Sequence, residues 1–387
     1  MATPNNKQVA GSSTLPAIKV VSRRLVKASD PSIEPYVLPV SNLDLTLHCL
    51  NQGAELVIGE VKVALESLDW AQSRASLKLI QVPYGGDVAL SVQVISFACG
   101  GFAVVWASNN IMGDGNTAMR TVMGWTELLR TGTVAGVRPG RAHNDRSRHF
   151  QPRDPPTYSA EFAEMYRPID HERSVNALTV QDSTVERLYY VEARDIARLH
   201  KAASRADANG GKQQGRVSRV HAFSAYTWKV LAEEKRCGLL WWVDTRSRFS
   251  SRQLRAALRH HLGTVCFYAH AEEHAGAILD RPLADVAAAT MWCSFPTDMD
   301  FGFGQASVAM PVDACFERLG ASLMLVGSRP GGDGSWIVSA EMWRCLAEAL
   351  EADEQRIFKP LTAEYLGFTA SGKKDLLLAT DQQMSRL

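Results

Sequence analysis

The sequence predicts an α/β protein of more than one domain, and three observations carry that expectation. The chain has 387 residues, which at roughly 150 residues per domain amounts to two or three domains. Runs that alternate polar and apolar residues sit beside runs with helical spacing, so strands and helices mix along the chain. Between them lies Ala206-Asp-Ala-Asn-Gly-Gly-Lys-Gln-Gln-Gly215, a stretch of small and polar turn formers that makes the best interdomain linker. The expected division is residues 1–205, a linker over 206–215, and residues 216–387.

Each element follows from its local pattern. Ile18-Lys-Val-Val-Ser-Arg-Arg-Leu-Val26 reads as a strand, which outweighs a basic targeting segment although no acidic residue precedes Asp30. Val88–Phe97 alternates like a half-buried strand, Phe102–Trp106 reads as a second, and Gly100-Gly101 supplies the turn between them. Asn109–Asn116 breaks the pattern with turn formers. Met119, Val122, Met123, Trp125, Leu128 and Leu129 then recur at helical spacing until Thr131-Gly132. A loop held between a strand end and a helix start is a natural place for chemistry. Arg138 to Pro156 crowds arginines with prolines and reads as an exposed connection. Helices are expected over Ala193–Ala203, Ser218–Lys235, Leu283–Thr290 and Met342–Ala352. Strands are expected over Leu239–Val243, Ala306–Pro311, Ala321–Val326 and Trp336–Ser339.

Composition narrows the function classes. With 42 Lys+Arg against 41 Asp+Glu the net charge is +1, so no global basic field invites nucleic acid. The 7 cysteines are odd in number and contain no CxxC pair, which argues against a disulfide scaffold or zinc finger and fits a reducing, cytoplasmic setting. The longest apolar stretch, Val88–Ala107, is interrupted by Ser91, Gln93, Ser96 and Gly100-Gly101, too polar for a membrane span. Neither Gly100-Gly101 nor Gly331-Gly332-Asp-Gly334 fits a nucleotide-binding loop, and both read as hairpin turns. Asp298, Asp300 and Asp313 match no oxygen-ligand spacing, so no metal site is expected. No G-x-S-x-G elbow is present.

Four separated stretches together point to one family: Leu38-Pro-Val-Ser-Asn-Leu-Asp44, Gln151-Pro-Arg-Asp-Pro-Pro156, Asp300-Phe-Gly-Phe-Gly304 and Phe358-Lys-Pro-Leu-Thr-Ala-Glu-Tyr-Leu366. In order and spread they resemble landmarks of the plant BAHD acyl-CoA-dependent acyltransferases. DFGFG is similar to that family's DFGWG motif, and FKPLTAEYL to the tail of the coniferyl-alcohol acyltransferase-like branch. The resemblance implies a two-domain fold like that of BAHD enzymes and chloramphenicol acetyltransferase, each half a mixed sheet with helices, with a channel between them. It implies acyl-CoA as cosubstrate with no bound cofactor, a small-molecule alcohol or amine acceptor of plant specialised metabolism, and a monomer.

The family's catalytic motif, HxxxDG, is matched by Asn110-Ile-Met-Gly-Asp-Gly115. Asp114 and Gly115 fit; the histidine position holds Asn110. In the family that histidine removes the acceptor's proton during attack on the thioester, which an imidazole can do near neutral pH. A carboxamide only donates or accepts hydrogen bonds. Loss of a general base costs about 10²–10⁴ in rate, or roughly 3–5 kcal/mol of barrier. His143, His149, His221, His260 and His261 are substitutes by residue type alone.

The remaining family positions carry supporting roles. The resemblance implies a structural ion pair for Asp114, and Arg246 within Val243-Asp-Thr-Arg-Ser-Arg248 is the candidate partner. Asp300, Phe301, Gly302, Phe303 and Gly304 are expected to shape the fold away from the chemistry, with Phe303 replacing the usual Trp. His261-Leu-Gly-Thr264 resembles the YFGN stretch. Ser218 and Trp228 fall in a segment similar to the CoA-side helix. Only Leu45–Leu50 stands where family members carry a strand, a helix and an FYPLAGR-like run, so several tens of residues of the first domain are expected to be missing, with apolar surface uncovered. Besides a weakened or specialised acyltransferase, two alternatives follow: a non-catalytic member that binds a protein partner, and a lyase-type reaction in the same channel.

Overall fold

The computed structural model describes residues 17–27, 36–38, 47–49, 53–72, 76, 78–83, 88–108, 113–134, 157, 160, 184–204, 217–232, 236–259, 261–287, 299–310 and 323–368. Asn110 and its neighbours 109–112, the basic stretch 138–156, the linker 206–215, His143, His149 and His260 lie outside them.

Alternation in the N-terminal half builds one mixed sheet. Its strands are β1 (Lys19–Val26), β4 (Ala54–Val61), β5 (Leu90–Phe97) and β6 (Phe102–Ser108), in the order β1-β4-β5-β6; β2 (Tyr36–Leu38) and β3 (Leu47–Cys49) form a separate antiparallel ribbon. β4 runs parallel to β5, while β1 and β6 are antiparallel to their neighbours. Alternate residues of β4 are buried, as a one-sided strand requires. The turn after β5 closes with the Phe97 N–H donating to Gly101 O at 2.8 Å and the Gly100 N–H to Phe97 O at 3.0 Å. Buried polar groups on this sheet are paired. Glu55 accepts from Ser91 Oγ at 2.6 Å, and the Gln93 amide both donates to and accepts from the Val82 backbone at 2.7 Å, fixing 78–83 to the sheet. Edge strand β1 is exposed along its whole length, with Val21 and Leu25 at 59% and 54% exposure.

From β6 the chain reaches α1 (Gly115–Thr131), which ends on Gly132 in the left-handed conformation. The next elements are β7 (Thr184–Val191), α2 (Ala193–Ala203), α3 (Arg219–Val230), β8 (Arg236–Asp244), α4 (Arg252–Leu258), β9 (Cys266–His274), α5 (Ala275–Asp280) and α6 (Leu283–Ala287). The C-terminal part adds β10 (Leu323–Ser328), β11 (Trp336–Trp343), α7 (Arg344–Ala352) and β12 (Lys359–Pro360). β8 and β9 form a two-stranded ribbon, and the second sheet has the order β10-β11-β7-β12, antiparallel throughout. Segment 184–203, on the N-terminal side of the proposed linker, thus builds its sheet and its helix packing with C-terminal elements.

This second sheet is covered on both faces, and the period of two explains how. Tyr189, Val191, Val338, Ala340 and Met342 face α2, α3 and α7 in one core. Leu188 and Ile337, pointing the other way, pack with Val61, Trp70, Ile95, Phe97 and Leu361 in a second core shared with the first sheet. The layers are therefore sheet, sheet and helices.

Two expectations need correction. Residues 306–310 form no strand; beside them stands an isolated Asp300–Gln305 bridge, and the loop folds on the Asp300 side chain instead. Met342 and Trp343 belong to β11, not to the helix, since Trp343 still pairs with Thr184 and Met342 is buried in the sheet core; α7 starts at Arg344. The apolar stripe of α1 is only partly covered: Val122 is buried, but Met123, Leu128 and Leu129 are about half exposed.

Candidate functional site

The turn from β6 into α1 is built around Asp114. In extended conformation (φ −80°, ψ 178°) it caps the helix, its Oδ1 accepting from the Thr117 N–H at 3.0 Å. Gly113 precedes it at φ +146°, and a Cβ there would lie 2.7 Å from Thr117 Oγ1, so the approach to the cap requires glycine. The carboxylate then reaches across 132 residues of sequence to Arg246 at the end of β8. Arg246 Nη1 donates to Asp114 Oδ2 at 2.7 Å and Nη2 to Oδ1 at 3.1 Å, a bidentate pair with both side chains 6% exposed.

A shell of further bonds fixes the pair. The Val265 N–H donates to Asp114 Oδ2 at 2.9 Å, Arg246 Nη2 donates to the Gly263 carbonyl, and the Thr117 hydroxyl accepts from the Gly263 N–H at 2.8 Å. Asp244 accepts from Arg246 Nη1 at 3.2 Å and from the Asn116 amide at 3.0 Å. Arg246 Nε has no hydrogen-bond partner among the described residues. Burial alone would raise the Asp114 carboxyl, but Arg246 and the backbone N–H groups of Val265 and Thr117 more than offset it, holding the group below the usual carboxylate range. Arg246 is likewise disfavoured by burial and raised overall by Asp114 and Asp244. A carboxylate saturated in this way neither gives nor takes a proton at neutral pH; its work is to lock the start of α1 to the β8–β9 ribbon. Next to it, burial first and Asp114 second push the Cys266 thiol up to about 11, which leaves it protonated and poorly nucleophilic.

The other predicted site residues fall elsewhere. The Asp300–Gly304 loop closes on itself: Asp300 Oδ1 accepts from the N–H groups of Gly302 at 2.8 Å and Gly304 at 3.1 Å, both glycines having positive φ. Phe301 meets Trp125 edge-on at 5.1 Å, Trp125 meets Trp106 at 5.7 Å, and Phe303 bridges Phe301 and Phe102. The loop therefore docks on α1 three turns past the cap, about 16 Å along the axis. Ser218 caps α3 through a capping box with His221, whose ring is held below its ordinary pKa by burial and then by Arg248. Trp228 is 6% exposed within the core of α3, its Nε1 lacking a hydrogen-bond partner among the described residues. His261 is 1% exposed. Among the described residues no three His, Cys, Asp or Glu side chains converge as metal ligands, and no helix is long and apolar enough to cross a membrane.

Sequence reasoning missed Thr117 and Val265, and gave Asp244 and Gly263 only as members of the Val243–Arg248 and His261–Thr264 stretches, without their place around Asp114. Thr117 left a local signal, standing three positions after a capping Asp; Val265 contributes a backbone N–H that only the fold brings to the carboxylate.

Residues 38–291 match the Transferase family. Putrescine hydroxycinnamoyltransferase of Oryza sativa subsp. japonica is 26% identical over 250 residues, covering 61% of this chain and 55% of that protein. Anthranilate N-benzoyltransferase protein 1 of Dianthus caryophyllus is 23% identical over 283 residues, covering 68% and 60%. The chain thus spans less than two thirds of the length of these relatives. Among solved structures, the fold is similar to that of vinorine synthase (TM-score 0.62, 17% identity, 89% of this chain and 99% of that one). It is also similar to F. graminearum TRI101 complexed with coenzyme A and T-2 mycotoxin (TM-score 0.55, 12% identity, 84% and 87%). The α/β fold is therefore that of these two structures.

Proposed function

The chain belongs to the Transferase family, and we propose that it transfers an acyl group from acyl-CoA to a neutral amine, with hydroxyl acceptors served slowly. The observation that carries this reading is the buried Asp114–Arg246 pair at the start of α1, directly after the segment that holds Asn110. The pair fixes the start of α1 through Asp114, and by the resemblance to the family's motif Asn110 takes the place of the family's base. The neighbour complexed with coenzyme A supports the donor class. The relative named for anthranilate supports a neutral aromatic amine as acceptor; the one named for putrescine supports amines more generally, an aliphatic amine having first to shed its proton to solvent.

The chemistry favours the amine. Its nitrogen lone pair attacks the thioester carbonyl carbon, the C–N bond forms, the C–S bond breaks, and the thiolate leaves while the new ammonium sheds its proton to solvent. An aromatic amine is neutral at pH 7 and needs no base to expose that lone pair. A hydroxyl must lose its proton as it attacks, and Asn110 cannot accept one. The same Asn110 can hydrogen-bond the carbonyl oxygen as charge develops on it.

Release of free CoA from benzoyl-CoA and hydroxycinnamoyl-CoA with anthranilate, putrescine or an aliphatic alcohol tests the proposal. The expected result at pH 7 is turnover with anthranilate, slower turnover with the protonated putrescine that rises as pH is raised, and little with the alcohol. Asn110→His should raise the alcohol rate by about 10²–10⁴. Silence of both proteins on every pair would reject acyl transfer in favour of a non-catalytic binding role.

A further inference from the structure

Behind the Asp114–Arg246 pair, α1 and the β8–α4 segment enclose an open cleft of 740 Å³ whose charge is one-sided. Five arginines line it, Arg120, Arg246, Arg252, Arg255 and Arg259, against the single carboxylate of Asp244. Arg246 is already neutralised by Asp114 and Asp244. Arg255 is anchored through Nη1 to the backbone carbonyls of Phe249 and Ser250, and Arg120 through Nε to Asn116 Oδ1 at 2.9 Å, which orders both while leaving their other N–H groups without a partner among the described residues. Among the described residues Arg252 and Arg259 have no carboxylate partner. Positions 252, 255 and 259 recur at helical spacing, so α4 turns one cationic face to the cleft. Arg252 opens that helix, where the backbone dipole disfavours a cation, so helix stability does not explain it.

Like charges brought together with two members pre-ordered by neutral partners form a receptor for opposite charge. Guanidinium forks match oxyanions in pairs. We propose that this cleft binds a small molecule carrying two or more closely spaced oxyanions, held by Arg252 and Arg259 with Arg120 and Arg255. The site stands on the geometry of the cleft alone and holds whether or not the protein transfers acyl groups.

Calorimetric titration of the full chain at low salt with inorganic pyrophosphate, and separately with citrate, tests it and tells a phosphoryl ligand from a carboxylate one. One site per chain is expected for at least one of the two anions. R252Q/R259Q should weaken it by about tenfold or more, as loss of charged hydrogen bonds implies. The charge-matched control R344Q/K201Q, exposed and away from the cleft, should leave it unchanged. Absence of saturable binding to either anion, equal weakening in both double variants, or wild-type affinity in R252Q/R259Q would each overturn the proposal. Arg252 and Arg259 are exposed, so both variants should fold, with circular dichroism as the check.

Discussion

Asp114 receives donors on both oxygens, from Arg246, Thr117 and Val265, and this saturation sets what its replacement does. Asp114→Ala leaves the Arg246 charge buried and, but for Asp244, unpaired, which costs about 3–5 kcal/mol. Urea unfolding of Asp114→Ala, Arg246→Met and the double variant should show a double-variant loss smaller than the sum of the singles; an additive result would mean that the two side chains are not coupled. The pH dependence has a definite sign. The folded carboxyl sits below its unfolded value, so its contribution is complete above ~3.9 and is lost as pH falls through the lower folded value. Between pH 5 and 2.5 the urea midpoint of wild type should therefore fall more steeply than that of Asp114→Asn. The pairing of Asp114 with an arginine was implied by the resemblance of Val243–Arg248 to a family segment. The rest of its shell was not, because backbone N–H groups carry no residue signature.

At the scale of elements, the strand–turn–helix unit from β5 to α1 was legible almost to the residue. Alternation, the two turn glycines and the stop at Gly132 are all local signals, and Gly132 does end the helix with φ +73°. Gly113→Ala tests the turn: its Cβ would strike Thr117 in a backbone region that L-residues avoid. A loss of about 1–3 kcal/mol in thermal or urea unfolding is expected. The loop at 300–310 was misread as leading into a strand. Val308 and Met310 look like strand residues, yet the Asp300 carboxylate and two positive-φ glycines spend the local hydrogen bonds inside the turn. The boundary between β11 and α7 was misplaced for a different reason: helical spacing continues through Met342, but pairing with β7 holds that residue in the sheet.

At the scale of the whole molecule, β7 and β11 are the hinge of the architecture, since Leu188 and Ile337 serve one core while Tyr189 and Val338 serve the other. Truncation at either of the first pair, Leu188→Ala or Ile337→Ala, should cost about 2–5 kcal/mol. It should lower the unfolding midpoint seen by near-ultraviolet dichroism of both cores together. Loss of signal from one core alone would show that the layers unfold independently.

The sequence by itself determined the mixed α/β class, most element positions, the hairpin turns, and the family to which residues 38–291 belong, because periodicity, turn chemistry and motif order are local properties of the chain. Only the tertiary structure decided that 184–203 packs with C-terminal strands and that the second sheet is buried on both faces. It alone brought Arg120 of α1 to the four arginines of segment 246–259 at one cleft. Those outcomes depend on which surfaces meet across more than a hundred residues of chain, and composition, near neutral overall, averages such a local charge away.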